Sequence, residues 1–402
     1  MNTPAEASAA SPNDRLLRTL DVAIHQGRIP RELPFLRAER SVVLARLGEL
    51  DLARKEVAAL RAIPQADGNG VLHAWLWLAE GLIDFHENFG ARARDRVHRS
   101  LALARSVRAP RIQALAAAWL AHLDFRAQDD ASAVEHARLA LLLASPDHHS
   151  ARSRACILLA GIYQFAGRED LALPWYNQVR IHATKEGDSA SLTSIAYNMA
   201  ALRVIAVRLT ALFGEHDNLA ARRARLGTES SMFLDQSVRN RALNHHSPMQ
   251  QAQILVVHHE FAAALALYDK HLADAMVQGL GSSQCLFEAD RAWCLLELGR
   301  SDEALAAART ADSAFIGATE LEEQTVAHGV LAQVYSRLGL AEQGNRHEQD
   351  ATATYRQLRE RWARLLALCA AAQLETIPGA LARGATGPAS APTQARQSAA
   401  PR

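Results

Sequence analysis

Seventeen histidines and four cysteines are the residues of this sequence best suited to metal or nucleophilic chemistry, and their spacing argues against both. Three histidine pairs are adjacent: His148–His149, His245–His246 and His258–His259. Neighbouring side chains on a helix point about 100° apart, so neither member of a pair can share an ion with the other. The pairs at 245 and 258 fall near predicted turns, where histidine is expected at the surface. A zinc site needs three or four convergent ligands, and the chain has neither HExxH nor a Cys/His ligand spacing. No metal and no cofactor are therefore expected. Cys156, Cys285, Cys294 and Cys369 all lie in apolar helical stretches, which fits buried reduced thiols better than disulfides. Carboxylates such as Glu322 and Glu323 read as solvated helix faces. GxSxG, a P-loop and a strand-to-helix GxGxxG are all missing, so the chain reads as non-enzymatic.

What remains is recognition chemistry. Tyr197 and Asn198 fall on a predicted helix with Arg203 and Arg208 further along it, and Arg222, Arg223 and Arg225 form a small basic cluster nearby. Asparagine donates and accepts at once and can pair with a backbone amide of a ligand. Tyr197, Asn198 and Arg203 are accordingly a candidate ligand or partner site. The competing reading is a locally lengthened helix pair in which Asn198 bonds a loop.

The elements that must position these residues recur with a fixed period. A predicted helix, a turn and a second helix with a small residue early in it repeat along the chain. The small residues are Ala53, Ala93, Ala133, Ala172, Ala264, Ala304 and Gly344, spaced 39 or 40 residues apart except for one interval of 92. That interval holds an extra, stretched unit at about 188–245. Glycine at several of the turns, Gly48, Gly167, Gly299 and Gly339, tolerates the positive φ of a tight helix-to-helix bend. One such hairpin cannot bury its own apolar stripe, so the units are expected to stack into about eight hairpins of one all-α, right-handed solenoid over 13–376. The helix at 13–26, opened by Asn13 as N-cap, is expected to close one end. The pattern from Ala341 to Leu374, with Trp362, Leu365, Leu366 and Leu368, is expected to close the other. Residues 1–12 and the Ala/Pro/Gly/Ser-rich tail 377–402 are expected to be disordered.

Composition agrees. The 402 residues carry 44 basic and 43 acidic side chains, a net charge of +1, which argues against nucleic-acid binding and a polybasic membrane surface. Hydrophobic residues at 49% exclude wholesale disorder, and aromatics at 5% are sparse for a β-sandwich. Only three basic residues are lysine, and the excess of Ala and Arg, which a GC-rich genome would produce, also favours helix. The N-terminus has no signal-peptide pattern and no run of 18 apolar residues occurs, so no membrane association and a cytoplasmic location are expected.

The hairpins resemble tetratricopeptide (TPR) repeats. Ala160, Tyr163, Gly167, Ala172 and Tyr176 match the family's small–aromatic–turn–small–aromatic series, Ala332, Tyr335 and Gly339 match its first half, and Asp302–Leu305 reads DEAL as in many second helices. The period departs from the family's usual 34 residues, and proline is missing at most repeat ends. HEAT-type pairs share the longer period but lack the glycine turn. Long-period versions are similar to the sensor domains of bacterial transcriptional activators of the maltose-activator type and of peptide-sensing regulators.

The resemblance implies that the first helix of each pair lines a concave groove. Carried over position by position, it implies groove residues Phe35, Trp75, Leu78, Phe85, His122 and Phe125 in the first half. In the second half it implies Arg154, Gln164, Trp293, Gln333 and Arg337, while Trp75, Trp77 and Trp119 are also read as core. The positions that hold Lys and Asn in chaperone-tail clamps carry Ala38, Val42, Ile157, Gly161, Ala289 and Trp293, so that partner is not expected. The expected role is a protein- or peptide-binding adaptor, with a ligand-sensing regulator as the alternative. No DNA-binding module is visible.

Overall fold

In the computed structural model, residues 13–27, 29–63, 69–88, 91–214, 217–239, 241, 244–317 and 320–378 are described. Among these residues there are seventeen α-helices, a few short 3₁₀ or π segments and no strand. After α1 (Arg15–Gln26) the helices come in pairs, each packed along its partner across a short turn. The first four are α2 (Leu33–Arg46) with α3 (Leu50–Arg61), α4 (Gly70–Asn88) with α5 (Ala91–Ser106), α6 (Pro110–Arg126) with α7 (Asp130–Leu143), and α8 (His149–Phe165) with α9 (Glu169–Glu186). The others are α10 (Ser189–Phe213) with α11 (Asn218–Val238), α12 (His246–Val257) with α13 (Phe261–Ala275), α14 (Gln284–Glu297) with α15 (Ser301–Ala314), and α16 (Leu321–Arg337) with α17 (Ala341–Ala371).

The turns show why glycine recurs. Gly48, Gly167, Gly299 and Gly339 sit at φ 78°, 73°, 77° and 79°, the left-handed region that a Cβ disfavours. At the last three a Cβ would meet nothing within 4 Å, so dihedral angle and not space selects the residue. Gln128 and His259 take the same role with side chains, at φ 58° and 60°.

The small residues mark the crossings. Ala53, Ala93, Ala133, Ala172, Ala264 and Ala304 are at most 2% exposed. At Gly344 a Cβ would come 2.5 Å from Ser336 Oγ and 3.2 Å from the Ala332 carbonyl oxygen, so α16 and α17 touch backbone to backbone. The stretched unit is also present: α10 and α11 run to 25 and 21 residues, and Ala221 and Ala224 are its buried small residues.

First helices pack on the next first helices, α2 on α4, α6 on α8 and α14 on α16, while each second helix leans on the first helix of the following pair. The two terminal helices pack on the end pairs, α1 on α2 and α17 on α16, and each also reaches a distant pair. α1 is N-capped by Asp14, not Asn13: Asp14 Oδ1 accepts from the Leu17 N–H at 2.7 Å and Oδ2 from the Ser189 N–H at 2.8 Å. One carboxylate thus starts α1 and ties it to α10. α17 packs against α7 and α8, where buried Arg361 donates to Asp130 at 3.0 Å and to the Phe125 carbonyl at 2.8 Å. Tyr163 Oη donates to the Leu374 carbonyl at 2.8 Å.

α10 is the post between these layers. Its Arg208 is ion-paired with buried Asp290 of α14, with Nη1 to Oδ2 at 2.8 Å and Tyr268 Oη on the same oxygen at 2.9 Å. Leu212 fills the space beside Gly329 of α16, and Phe213 stacks on Tyr355 of α17 at 4.1 Å. α10 is also the one described helix long and apolar enough to cross a membrane by length and composition. The four cysteines are buried free thiols, as expected. The segments expected to be disordered, 1–12 and 377–402, lie outside the described residues except for 377 and 378.

Candidate functional site

A cavity of about 300 Å³ lies among the first helices of the pairs. Its wall takes Arg46 from α2, Phe85 and His86 from α4, His122 and Arg126 from α6, Arg154 and Phe165 from α8, Tyr197 and Asn198 from α10, and His246 from α12. The Gly279–Ser283 stretch and the start of α16, with Glu320, Glu322 and Glu323, complete it. Helices distant in sequence contribute because α10 packs on α8 on one side and on α16 on the other.

The wall has a cationic side and an acidic side. On the first, Arg46 is neutralised by Asp188, with its Nη2 2.8 Å and 2.7 Å from the two carboxylate oxygens. Arg154 is different. Its guanidinium carbon sits 3.6 Å from the centroid of the Trp119 ring, its Nε has no hydrogen-bond partner, and it makes no ion pair among the described residues. Burial, with Arg46 nearby, pulls its pKa down to about 9. Phe85 packs edge-on to Trp119 and His122 at 6.0 Å and 5.5 Å, so the aromatic cluster holds Arg154 and His122 in place. Burial also pushes His86 down to about 3 and His122 well below its ordinary value, leaving both imidazoles neutral near pH 7.

On the acidic side, Glu322 and Glu323 are not solvated helix faces. One oxygen of each is shielded from solvent and has no hydrogen-bond partner. Burial, reinforced by Glu320, raises Glu322 to about 8 and Glu323 to about 7. The position is the first turn of α16, where the helix N-terminus favours negative charge. A cation arriving there would meet Glu322 and Glu323 and displace their protons, beside Glu320, which faces Arg126 at 3.6 Å. The two sides together suit a small molecule with a cationic group at one end and an anionic or hydrogen-bonding group at the other.

Of the residues expected in the groove, Phe85, His122, Phe125, Arg154, Tyr197 and Asn198 meet at this cavity. Trp75 is 4% exposed in the core formed by α1 to α6. Gln164 is a structural bridge: Nε2 donates to the Met199 carbonyl at 3.1 Å and Oε1 accepts from Tyr176 Oη at 2.6 Å. Arg203 lies beside Gly227 of α11, outside the cavity wall. Trp293, Gln333 and Arg337 form a separate patch on α14 and α16, with Arg337 over the Trp293 ring at 5.1 Å and ion-paired to Glu297. His148 is 2% exposed, and burial lowers it to about 3.

His86, His246, Glu322 and Glu323 belong to the site without having been expected there. Their only sequence signal is position on a first helix, and Glu322 and Glu323 stand next to each other as solvated acids commonly do. No protein-family model matches the sequence, and no curated protein matches it.

Proposed function

We propose that the eight hairpins form a TPR-like, right-handed solenoid wound tightly enough to enclose its own groove, and that the protein is a non-enzymatic, ligand-sensing regulator. The observation that carries this reading is the set of unsatisfied polar atoms in one cavity: Arg154 Nε on one wall and one oxygen each of Glu322 and Glu323 on the other, all without hydrogen-bond partners. A buried polar group without a partner costs about 1–3 kcal/mol, more when charged, and a ligand that satisfies it recovers that cost.

Shape favours the sensing role over the adaptor role. A partner helix docks along a groove several turns long through anchors at i, i+3, i+4 and i+7, whereas these walls converge on one pocket. A cavity of about 300 Å³ instead suits a small ligand. The ligand class is a compact zwitterion, such as an amino acid or a di- or tripeptide, with its ammonium at Glu320, Glu322 and Glu323 and its carboxylate at Arg154. Such a ligand would touch α4, α8, α10 and α16 at once and so couple both halves of the chain, which is what a sensor requires. An adaptor role retains one feature in its favour, the exposed Gln333 and Arg337 beside Trp293.

The test is calorimetry and thermal shift with a panel of amino acids and short peptides. A member of the panel binds the native protein, and Arg154→Met and Glu323→Gln each weaken it tenfold or more while Gln333→Ala leaves it unchanged. Absence of binding across the panel sinks the sensor reading. Binding that is lost with Gln333→Ala and Arg337→Ala but kept with Arg154→Met moves the function to the outer patch.

A further inference from the structure

We infer that α15, α16 and α17 carry a binding site for a divalent first-row transition ion of the zinc type, with His328, His347 and Asp350 as its protein ligands. The site shares no residue with the interior cavity. His347 and Asp350 stand three residues apart on α17 and therefore on one face. α16 brings His328 opposite them, with its Nδ1 2.8 Å from His347 Nδ1. The ligand atoms of the three side chains all lie within 4.8 Å of one another. Asp350 is partly exposed and free to rotate toward an ion.

The surroundings prepare the donors. His347 Nε2 lies 2.9 Å from Asp312 Oδ1. A carboxylate accepts, so Nε2 carries the proton and Nδ1 turns a lone pair toward His328. Asp312 is itself held: its Oδ2 accepts from Tyr335 Oη at 2.5 Å, and Arg346 Nη2 approaches Oδ1 at 3.3 Å. Carboxylate–histidine–metal relays have this order, and the outer carboxylate fixes both tautomer and ring orientation. Both rings are clamped by aromatic faces. Phe315 stacks on His328 at 3.8 Å and 8°, and Tyr335 on His347 at 5.4 Å and 10°.

Two imidazole nitrogens facing each other at this distance form one hydrogen bond at best, whereas a cation that spreads them by about 0.5 Å, to the N···N separation of a tetrahedral site, engages both lone pairs. Two nitrogens and one carboxylate suit zinc-type ions better than calcium or magnesium, which prefer oxygen. An open cleft of about 430 Å³, lined also by Ser313 and Phe315, gives access and leaves a coordination position for water or a further ligand. His328 and His347 sit 19 residues apart on different helices, so no local motif announces them.

The test uses the full chain purified without a histidine tag, stripped with EDTA and titrated with Zn²⁺ alone. One ion binds per chain and raises the melting temperature. Co²⁺ in its place gives the visible bands of a four-coordinate nitrogen/oxygen site. Asp350→Asn and His328→Gln each weaken binding at least tenfold with helicity unchanged by circular dichroism. Asp312→Asn, which only positions His347, weakens it about 10–100-fold at unchanged stoichiometry. His258→Ala with His259→Ala changes nothing. Zinc uptake that is substoichiometric, or equally tight in wild type, His328→Gln and Asp350→Asn, overturns the inference and leaves a histidine–histidine hydrogen bond.

Discussion

Arg46 and Asp188 stand 142 residues apart in the chain, yet one guanidinium nitrogen of Arg46 donates to both oxygens of Asp188, at 2.8 Å and 2.7 Å. The side chains are 9% and 2% exposed. Ser191 completes the group: its Oγ accepts from Arg46 at 2.9 Å and donates to Asp188 at 2.7 Å, and its N–H reaches Asp188 at 2.9 Å. The pair fastens the end of α2 to the start of α10, and so holds the first hairpin against the central post. Burial opposes the ionisation of Asp188, but the charge and hydrogen bonds of Arg46 outweigh it and leave its pKa lowered.

Removing one partner strands the other. Arg46→Met is expected to cost about 3–5 kcal/mol in urea unfolding, a large part of the total stability of a typical domain. The double variant Arg46→Met with Asp188→Asn keeps the cap of α10 while removing both charges, and should recover much of that loss. A single-variant cost under about 1 kcal/mol, or strict additivity, would show that the pair does not act as a unit.

The hairpin turns make a prediction of opposite signs. Gly299→Ala and Gly339→Ala place a Cβ in a left-handed conformation with free space around it, so each loses about 1 kcal/mol from the backbone alone. His259 adopts that conformation already, and His259→Gly should gain a similar amount, less its edge contact with Phe261 at 5.6 Å. If His259→Gly destabilises by more than about 1 kcal/mol, the histidine has a role beyond the turn. Unfolding midpoints of the three variants decide this.

These turns also show what is legible from sequence. Period, turn glycines and small crossings repeat locally, because each hairpin meets the same steric problem at the same place, and all were visible. Gln128 and His259 leave two turns without the glycine mark, and those units are placed by their small residues Ala133 and Ala264 instead. The cavity was half legible. Phe85, His122, Phe125, Arg154, Tyr197 and Asn198 follow from register, but whether a register position faces a void or a neighbour depends on how tightly distant hairpins wind. Trp75 and Gln164 went to packing for that reason. Glu322 and Glu323 were misread because two adjacent acids at a helix start look solvated until α10 and the Gly279–Ser283 stretch cover them.

The thiols give a probe of that winding. Burial raises Cys156, Cys285 and Cys294 to about 12 and Cys369 to about 11, so none is thiolate at neutral pH. Native protein should leave all four unreacted with a thiol reagent at pH 8 over minutes, and expose them together on unfolding. Cys369 lies on α17 near Tyr163 of α8. Early release of Cys369 alone would mean that α17 detaches before the rest of the fold.

The buried carboxyl groups set the alkaline limb of the pH dependence. In the folded chain Glu322 is raised to about 8, Glu323 and Glu186 to about 7, and Asp235 to about 6, in each case first by burial. Unfolded, they ionise near 4.5, or 3.8 for Asp235. Between those values the folded state binds more protons than the unfolded one, so stability falls as pH rises. The contribution is complete below about pH 4.5 and is lost as pH climbs through 7 to 8, by up to about 1.4 kcal/mol per pH unit for each group that differs fully. Asp188 has the opposite sign: its pKa is lowered, so its contribution is present above about 3.8 and fades at more acid pH. The buried histidines act from the acid side: burial lowers His86 and His148 to about 3 and His182, His246 and His328 to about 4, so each favours unfolding as pH falls through 6.5. The stability maximum therefore lies near neutral pH, and the carboxyl groups shape the decline above it. Glu322→Gln with Glu323→Gln cannot ionise and should flatten the alkaline limb. Its unfolding midpoint should exceed that of wild type at pH 8 and converge with it at pH 5. A difference between the two proteins that does not change from pH 5 to 8 would mean that both carboxyl groups keep ordinary pKa values and are open to solvent.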